Sequence, residues 1–185
     1  MTFRAVVIDP PWPYQSGING RPLPYRQMTI PEIHDLKISS LVAKEGYAFC
    51  WATNKHLGSA LCAIESWGLT YRQTVAWRKR GRCALGGMFA TDLEFVVVAQ
   101  RIRPGTNAHG SRTKRVRVPT SLFDWPVGGH SEKPDEFYQL VSEIVDGPYA
   151  DVFARKSRPG WVSLGDEIDG SDIASAIDAA TWVAL

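Results

Sequence analysis

Phe3-Arg4-Ala5-Val6-Val7-Ile8-Asp9-Pro10-Pro11-Trp12 decides how the rest of the chain is read. Residues 3–8 form a nearly unbroken apolar run of strand length. Such a run suits a strand buried on both faces, as in the middle of a parallel sheet. Pro10 and Pro11 have no N–H to give to a ladder, so the strand must end before them. Working outward, strands are expected at 47–53, 71–77, 93–99, 149–154 and 161–164. Between them, residues 56–67 carry apolar side chains at helical spacing and stop at Gly68. Thr29 is placed to cap a short helix with Pro31 early in it. Lys133-Pro134-Asp135-Glu136 opens another helix, with Phe137, Leu140, Val141 and Ile144 as its inward stripe. Residues 13–29, 78–92 and 101–121 read as loops, the last two basic. Strand and helix in alternation predict an α/β fold with a mostly parallel sheet. Ligands in such sheets bind beyond the carboxyl ends of strands, where Asp9 lies.

The 185 residues fit a single domain, 1–185, with 170–185 as a C-terminal helix. Hydrophobic residues make up 44% and charged residues 22%, the balance of a soluble globular protein. No apolar stretch is long enough to span a membrane, and no signal pattern precedes the first strand. The three cysteines are too few and too scattered for a disulfide framework or a zinc site. These features predict a cytoplasmic protein without metal. The net charge is only +2, but it is unevenly spread. From Arg78 to Arg117 ten Lys and Arg stand against Asp92 and Glu94, a local +8 that leaves −6 on the remainder. A basic block on an acidic body is either a solvated loop or the footprint of a polyanionic partner.

The residues after the first strand have a specific chemistry. Asp9 is an acceptor held at a rigid strand tip. Pro10 offers a carbonyl without a competing N–H, Pro11 stiffens the turn, and Trp12 adds a flat π surface. Two acceptors beside an aromatic plate make a receptor for a planar base bearing an exocyclic NH2. Accepting both hydrogens turns the nitrogen lone pair out of conjugation and makes the amine a better nucleophile towards a methyl donor. No strong base is needed before attack, because the proton can leave after the methyl arrives. A strand-ending turn with a structural tryptophan is the alternative.

The motif resembles that of amino-methyltransferases, and its Asp-Pro-Pro-Trp form resembles the MT-A70 family of N6-adenine methyltransferases. Leu23-Pro24-Tyr25 with Met28, Gly46 to Thr53, Trp67-Gly68, Trp77-Arg78-Lys79, Ser131 to Glu136, and Phe153-Ala154-Arg155 with Trp161 and Leu164 to Glu167 resemble further family motifs in the same order. The likeness covers residues 3 to 168. It implies a Rossmann-like class I methyltransferase sheet in circularly permuted order, the catalytic motif preceding the donor-binding one, and S-adenosylmethionine as methyl donor. By this resemblance the catalytic group is Asp9, Pro10, Pro11 and Trp12. Lys133 holds the carboxylate of the donor's methionine part. Asp166 and Glu167 accept from its ribose, and Ile8, Asp9, Arg155 and Ser157 lie beside it. Tyr25 closes over the target base. Some relatives place His and Asn where this chain has Lys156-Ser157-Arg158. Relatives with an upstream segment use it to line the donor's adenine pocket. Here that side is expected to be open or supplied by another subunit.

An amine inside a duplex is out of reach, so the base must be flipped or already single-stranded. Lys79, Arg112, Lys114, Arg115 and Arg117 are the candidates to grip phosphates, with steep salt dependence. Trp77, Phe89 and Tyr25 are the candidates for stacking. The compact form is similar to bacterial or phage members, where DNA is the commoner substrate, and Asp9 rather than Ser favours adenine over cytosine. A homodimer would add surface for a duplex. RNA as substrate, a silent nucleic-acid-binding relative and an enzyme for a small amine remain alternatives.

Overall fold

The computed structural model describes residues 1–14, 26–80, 84–86, 88–102, 118–129 and 132–182. Tyr25, Arg112, Lys114, Arg115 and Arg117 lie outside the described residues. The strands are β1 (Phe3–Ile8), β2 (Val42–Thr53), β3 (Thr70–Arg78), β4 (Ala84–Gly86), β5 (Phe89–Thr91), β6 (Leu93–Gln100), β7 (Leu122–Phe123), β8 (Tyr149–Val152) and β9 (Trp161–Leu164). The helices are α1 (Ile30–His34), α2 (Ile38–Leu41), α3 (Leu57–Ser66), α4 (Asp135–Ile144), α5 (Asp166–Asp169) and α6 (Ile173–Trp182), with a 3-10 turn over Asn54–His56.

Seven strands form one sheet in the order β7-β3-β6-β2-β1-β8-β9. β1 runs parallel to β2 and β8, β8 parallel to β9, and β3 parallel to β7; β6 runs antiparallel to both of its neighbours. The fold is α/β and mostly parallel, as the alternation of patterns predicts. The apolar run of β1 explains its interior place. Val6 and Ile8 join a core shared with α1, α3 and α6, while Ala5 and Val7 face the opposite core around Trp51, Trp77 and Phe137 of α4. The two-residue period of a strand sends alternate side chains into the two layers.

Local rules account for several boundaries. Thr29 and Glu32 form a reciprocal capping box at the start of α1. Pro134 precedes α4, and two acids occupy the first turn of that helix. Its inward face includes Tyr138 along with Phe137 and Val141.

Other expectations need correction. Residues 78–92 are not a single loop: β3 runs to Arg78, and β4 pairs with β5 in a hairpin between β3 and β6. β2 begins at Val42, five residues early, because a bulge lets Phe3 pair with Val42 and Ala5 with Tyr47. Glu45 takes φ 64° there. A Cβ on Gly46 would stand 2.9 Å from the carbonyl oxygen of Ala43, so only glycine fits. Arg101, one of the basic block, donates to the carbonyl of Val42 at 2.7 Å and holds the bulge. Asp166 and Glu167 open the short helix α5 rather than a plain loop.

Candidate active site

Asp9 extends β1 by one bond, its N–H donating to the carbonyl of Val152 at 3.2 Å. The prolines then stop the strand, and the Trp12 N–H turns back onto the Pro10 carbonyl at 2.8 Å. The Pro10 carbonyl is therefore not free of a donor, as the sequence suggested, and only its second lone pair is left for a ligand. Trp12 is not an open plate. It is 3% exposed, its indole N–H donates to the Trp51 carbonyl at 2.9 Å, and its ring stacks on His56 at 5.5 Å. Burial, with Lys55 nearby, lowers the His56 pKa, so that ring stays neutral. The half-buried aromatic beside the motif is Tyr14, whose hydroxyl bonds Thr53 at 3.0 Å.

Parallel pairing brings the ends of β1, β2 and β8 to one edge of the sheet, and antiparallel pairing brings the start of β6 there too. Thr53 faces Glu94 across β2 and β6. Lys133, expected at the site, meets here the unforeseen Glu94. The Lys133 ammonium lies 3.0 Å from the Asp9 carboxylate and 3.2 Å from that of Glu94. It also sits 5.4 Å from the centre of the Trp51 ring. Lys79 closes the chain by pairing with the other oxygen of Glu94. The result is a nearly buried row, Asp9–Lys133–Glu94–Lys79, of alternating charge.

Position in that row decides each titration. Burial opposes the charge on Glu94, yet Lys133 and Lys79 outweigh it and hold its carboxyl below the usual range. Burial also opposes the charge on Lys133, but Asp9 and Glu94 raise it above the ordinary lysine value. Asp9 stands at the end of the row. There burial prevails, Lys133 offsets it only in part, and Glu94 adds repulsion, so its carboxyl lies above the ordinary aspartate value.

Three cavities meet at Asp9. The largest, about 580 Å3, has Pro11, Phe153, Arg155, Asp166, Glu167 and Ile177 in its walls. A second, about 60 Å3, lies among Pro10, Trp12, Tyr14, Thr53, Glu94 and Lys133. The third, about 240 Å3, lies between Lys133, Tyr138, Asp151, Arg155 and Arg158. Phe153 takes φ 65°, a conformation that bulky residues rarely adopt, at the turn from β8 towards the site. A Cβ on Gly165 would meet the Ala154 carbonyl oxygen at 2.7 Å. Glycine there lets the end of β9 close on Ala154 and brings Glu167 to 3.7 Å from Arg155.

The structure thus brings Asp9, Pro10, Pro11, Trp12, Lys133, Arg155, Asp166 and Glu167 together. Ile8 is fully buried at the end of β1 and serves the core. Ser157 is exposed, between two neighbours that are engaged. Lys156 pairs with Glu132 and Asp135. Arg158 lies 2.7 Å from Asp151 and 3.5 Å from the centre of the Tyr138 ring. Burial lifts Asp151 to about 7, Arg158 offsetting only part of that cost. Two substrate candidates move to other roles. Trp77 is 2% exposed, packs on Trp51 and donates to the Trp125 carbonyl, so it cannot stack on a base. Lys79 holds Glu94 rather than standing free for a phosphate. Phe89, at the hairpin tip with Met88, is 79% exposed. Among the described residues no cluster of His, Cys, Asp or Glu is arranged to hold a metal ion, and no helix is long and apolar enough to cross a membrane.

Sequence reasoning missed Glu94, Tyr14 and Asp151, and left Arg158 without an assigned contact. For Glu94 a signal existed: it is the lone charge in Leu93-Glu94-Phe95-Val96-Val97-Val98, and a charge in a buried strand needs a partner.

The chain resembles known methyltransferases over most of its length. The chain is 26% identical to the type II methyltransferase M.MunI of a Mycoplasma species, over 92% of this chain and 80% of that protein. It is 28% identical to the N(6)-adenine-specific methyltransferase METTL4 of Mus musculus, over 90% of this chain and 38% of that one. It is 27% identical to the N6-methyladenosine RNA methyltransferase MTA1 of Pyricularia oryzae, over 90% of this chain and 47% of that one. The chain therefore spans most of the first protein and less than half of the other two. The MT-A70 family profile matches residues 3–167, from the first residue of β1 to the second residue of α5, and the chain belongs to the MT-A70 family.

Proposed function

We propose that the protein transfers a methyl group from S-adenosylmethionine to the N6 amine of adenine in DNA. The observation that carries this reading is the place of Asp9, which lines all three cavities at once. A residue that must touch both an incoming amine and a donor has to stand where two sites meet.

The cavity of about 580 Å3 suits the donor in size and chemistry. Seven carboxylates against three cations line it, a balance that favours a sulfonium cation. Apolar groups such as Met28 and Phe153 suit a purine, and Asp166 and Glu167 suit a diol. Bound there, the donor would supply an electrophilic methyl group. Asp9 and the second lone pair of the Pro10 carbonyl accept from the two amine hydrogens. Tyr14 offers an aromatic surface beside them. Lys133 keeps the Asp9 carboxylate oriented and is itself oriented by Glu94, so these charges need little reorganisation during the reaction. The smallest cavity holds less than a whole base, so the target adenine lies partly outside it. The motif order, with Asp9 early and Lys133, Arg155 and Asp166 late, is read as the permuted arrangement.

DNA is the first reading, from the resemblance to compact bacterial or phage members; RNA is the second, favoured by the relative named an RNA methyltransferase. The exposed Phe89 and Met88 and the basic segment around them suit a polyanion with stackable bases. The test uses labelled S-adenosylmethionine with DNA and RNA of matched mixed sequence, single- and double-stranded. The products are digested and the methylated nucleoside is identified by mass. N6-methyladenine in DNA alone is expected. Methyl in RNA alone would keep the chemistry and overturn the substrate. No methyl in either would overturn the proposal.

A further inference from the structure

The largest cavity has one wall that the family match leaves out. The match ends at residue 167, yet Ile173, Ala174, Ile177 and Asp178 of α6 border the same cavity as Asp9, Arg155, Asp166 and Glu167. α6 is firmly placed. Ile173 and Ile177 are buried in the core layer that also contains Ile8 and Val152. The helix packs on α2, and Lys37 reaches Asp178 at 3.4 Å. Residues one turn apart, 173 and 177, thus face inward together and anchor the helix on the core, leaving Ala174 and the edge of Ile173 towards the cavity.

We infer that α6 is the wall against which the adenosine end of the methyl donor lies. The inference rests on the reading of this cavity as the donor site. The donor has a charged methionine end and an apolar purine end. Lys133 and Arg158 line the neighbouring cavity of about 240 Å3 and suit the first. Phe153, Ala174 and the accessible edges of Ile173 and Leu36 suit the second. Asp166 and Glu167, on α5 just ahead of α6, are the diol acceptors between those chemistries. The carboxylate excess of the cavity repels phosphates, so the nucleic acid approaches Asp9 from elsewhere. The expectation that this side is open, or closed by another subunit, is replaced by a wall from the chain's own C-terminal helix.

Ala174 gives a clean test because it is exposed on α6 and borders the cavity, so a larger side chain there narrows the cavity without disturbing the core. Ala174→Trp is compared with Ala179→Trp, an exposed position on the same helix that does not border it. Calorimetry uses S-adenosylmethionine, 5′-methylthioadenosine, which has the purine end but no amino acid, and a DNA oligonucleotide. Ala174→Trp should weaken both adenosine ligands at least about tenfold, with unchanged Tm and oligonucleotide affinity. Ala179→Trp should match the parent protein. Three results would overturn the inference: normal donor binding by Ala174→Trp, loss confined to S-adenosylmethionine, or equal loss in Ala179→Trp. Failure of the parent protein to bind S-adenosylmethionine at all would instead remove the donor-site reading itself.

Discussion

The two flanks of Asp9 are built on opposite plans. Towards α6 the protein leaves about 580 Å3 of space, with apolar walls and scattered carboxylates, many of them on exposed residues. Towards β6 it fills the space with a row of ion pairs in which every charge has an opposite neighbour. Open space lets a ligand come and go. A filled ionic row fixes the position and charge of one carboxylate, because moving any member uncovers a buried charge. The contrast also explains why two lysines expected at ligands are found at carboxylates. Lys133 and Lys79 have burial to compensate before they have anything to bind.

The strongest way to break this contrast is at the shared residue. Asp9→Ala should reduce methyl transfer by on the order of 10²–10³-fold or more, while circular dichroism and Tm report an intact fold. Normal turnover in that variant would remove the proposed mechanism. In the unaltered protein the Asp9 carboxyl lies above its ordinary value, and protonation removes its acceptor role. Activity should therefore be present at neutral pH and fall in acid along a limb lying above the ordinary aspartate pKa of about 3.9.

Next comes Lys133→Met, which strands Asp9 and Glu94 together as buried like charges. Urea denaturation should show a loss of about 3–5 kcal/mol at neutral pH, recovered in part in mild acid as one of the two carboxyls takes up a proton. A stability change confined to a few tenths would mean that the row is looser than its distances imply.

Lys79→Met sharpens the comparison further, since it separates a structural lysine from a phosphate-gripping one. Loss of about 1–3 kcal/mol of stability, with the acid limb of turnover moved to higher pH through Glu94, would support the ion-pair role. A change confined to oligonucleotide affinity and its salt slope would restore the phosphate role.

The last test lies at Asp151, where the expected effect is confined to one pH window. Its carboxyl in the folded protein titrates at about 7, against an ordinary value of 3.8. The folded state thus holds the proton more tightly, so Asp151 contributes stability as pH falls from about 7 towards 3.8 and loses it as pH rises again. Asp151→Asn should flatten stability against pH across that window, as thermal melts at several pH values would show.

Part of the molecule follows from neighbouring residues alone. Two prolines after an apolar run end β1 and leave Asp9 at its tip, because proline cannot donate to a ladder. Thr29 and Glu32 cap α1 from three residues apart, and the acids behind Pro134 start α4. The alternating patterns suffice for an α/β sheet, and the spaced motifs for the family. These features need only chain geometry over a few residues, or order along the chain.

Long-range register decided the rest. Glu94 meets Lys133, thirty-nine positions away, because β6 pairs antiparallel with β2 and reaches the edge where α4 begins. Trp77 enters the core because the pleat turns it towards Trp51 and Phe137; an unpaired strand could have shown either face. Local pattern marks 171–185 as a helix but does not say what it covers, and only the packing of Ile173 and Ile177 against the sheet makes it a wall of the main cavity. The sequence by itself determined where the chain turns and which residues end its central strand. The tertiary structure decided which distant charges share a burial cost, since that depends on strand order and on the surface each helix finds when it packs.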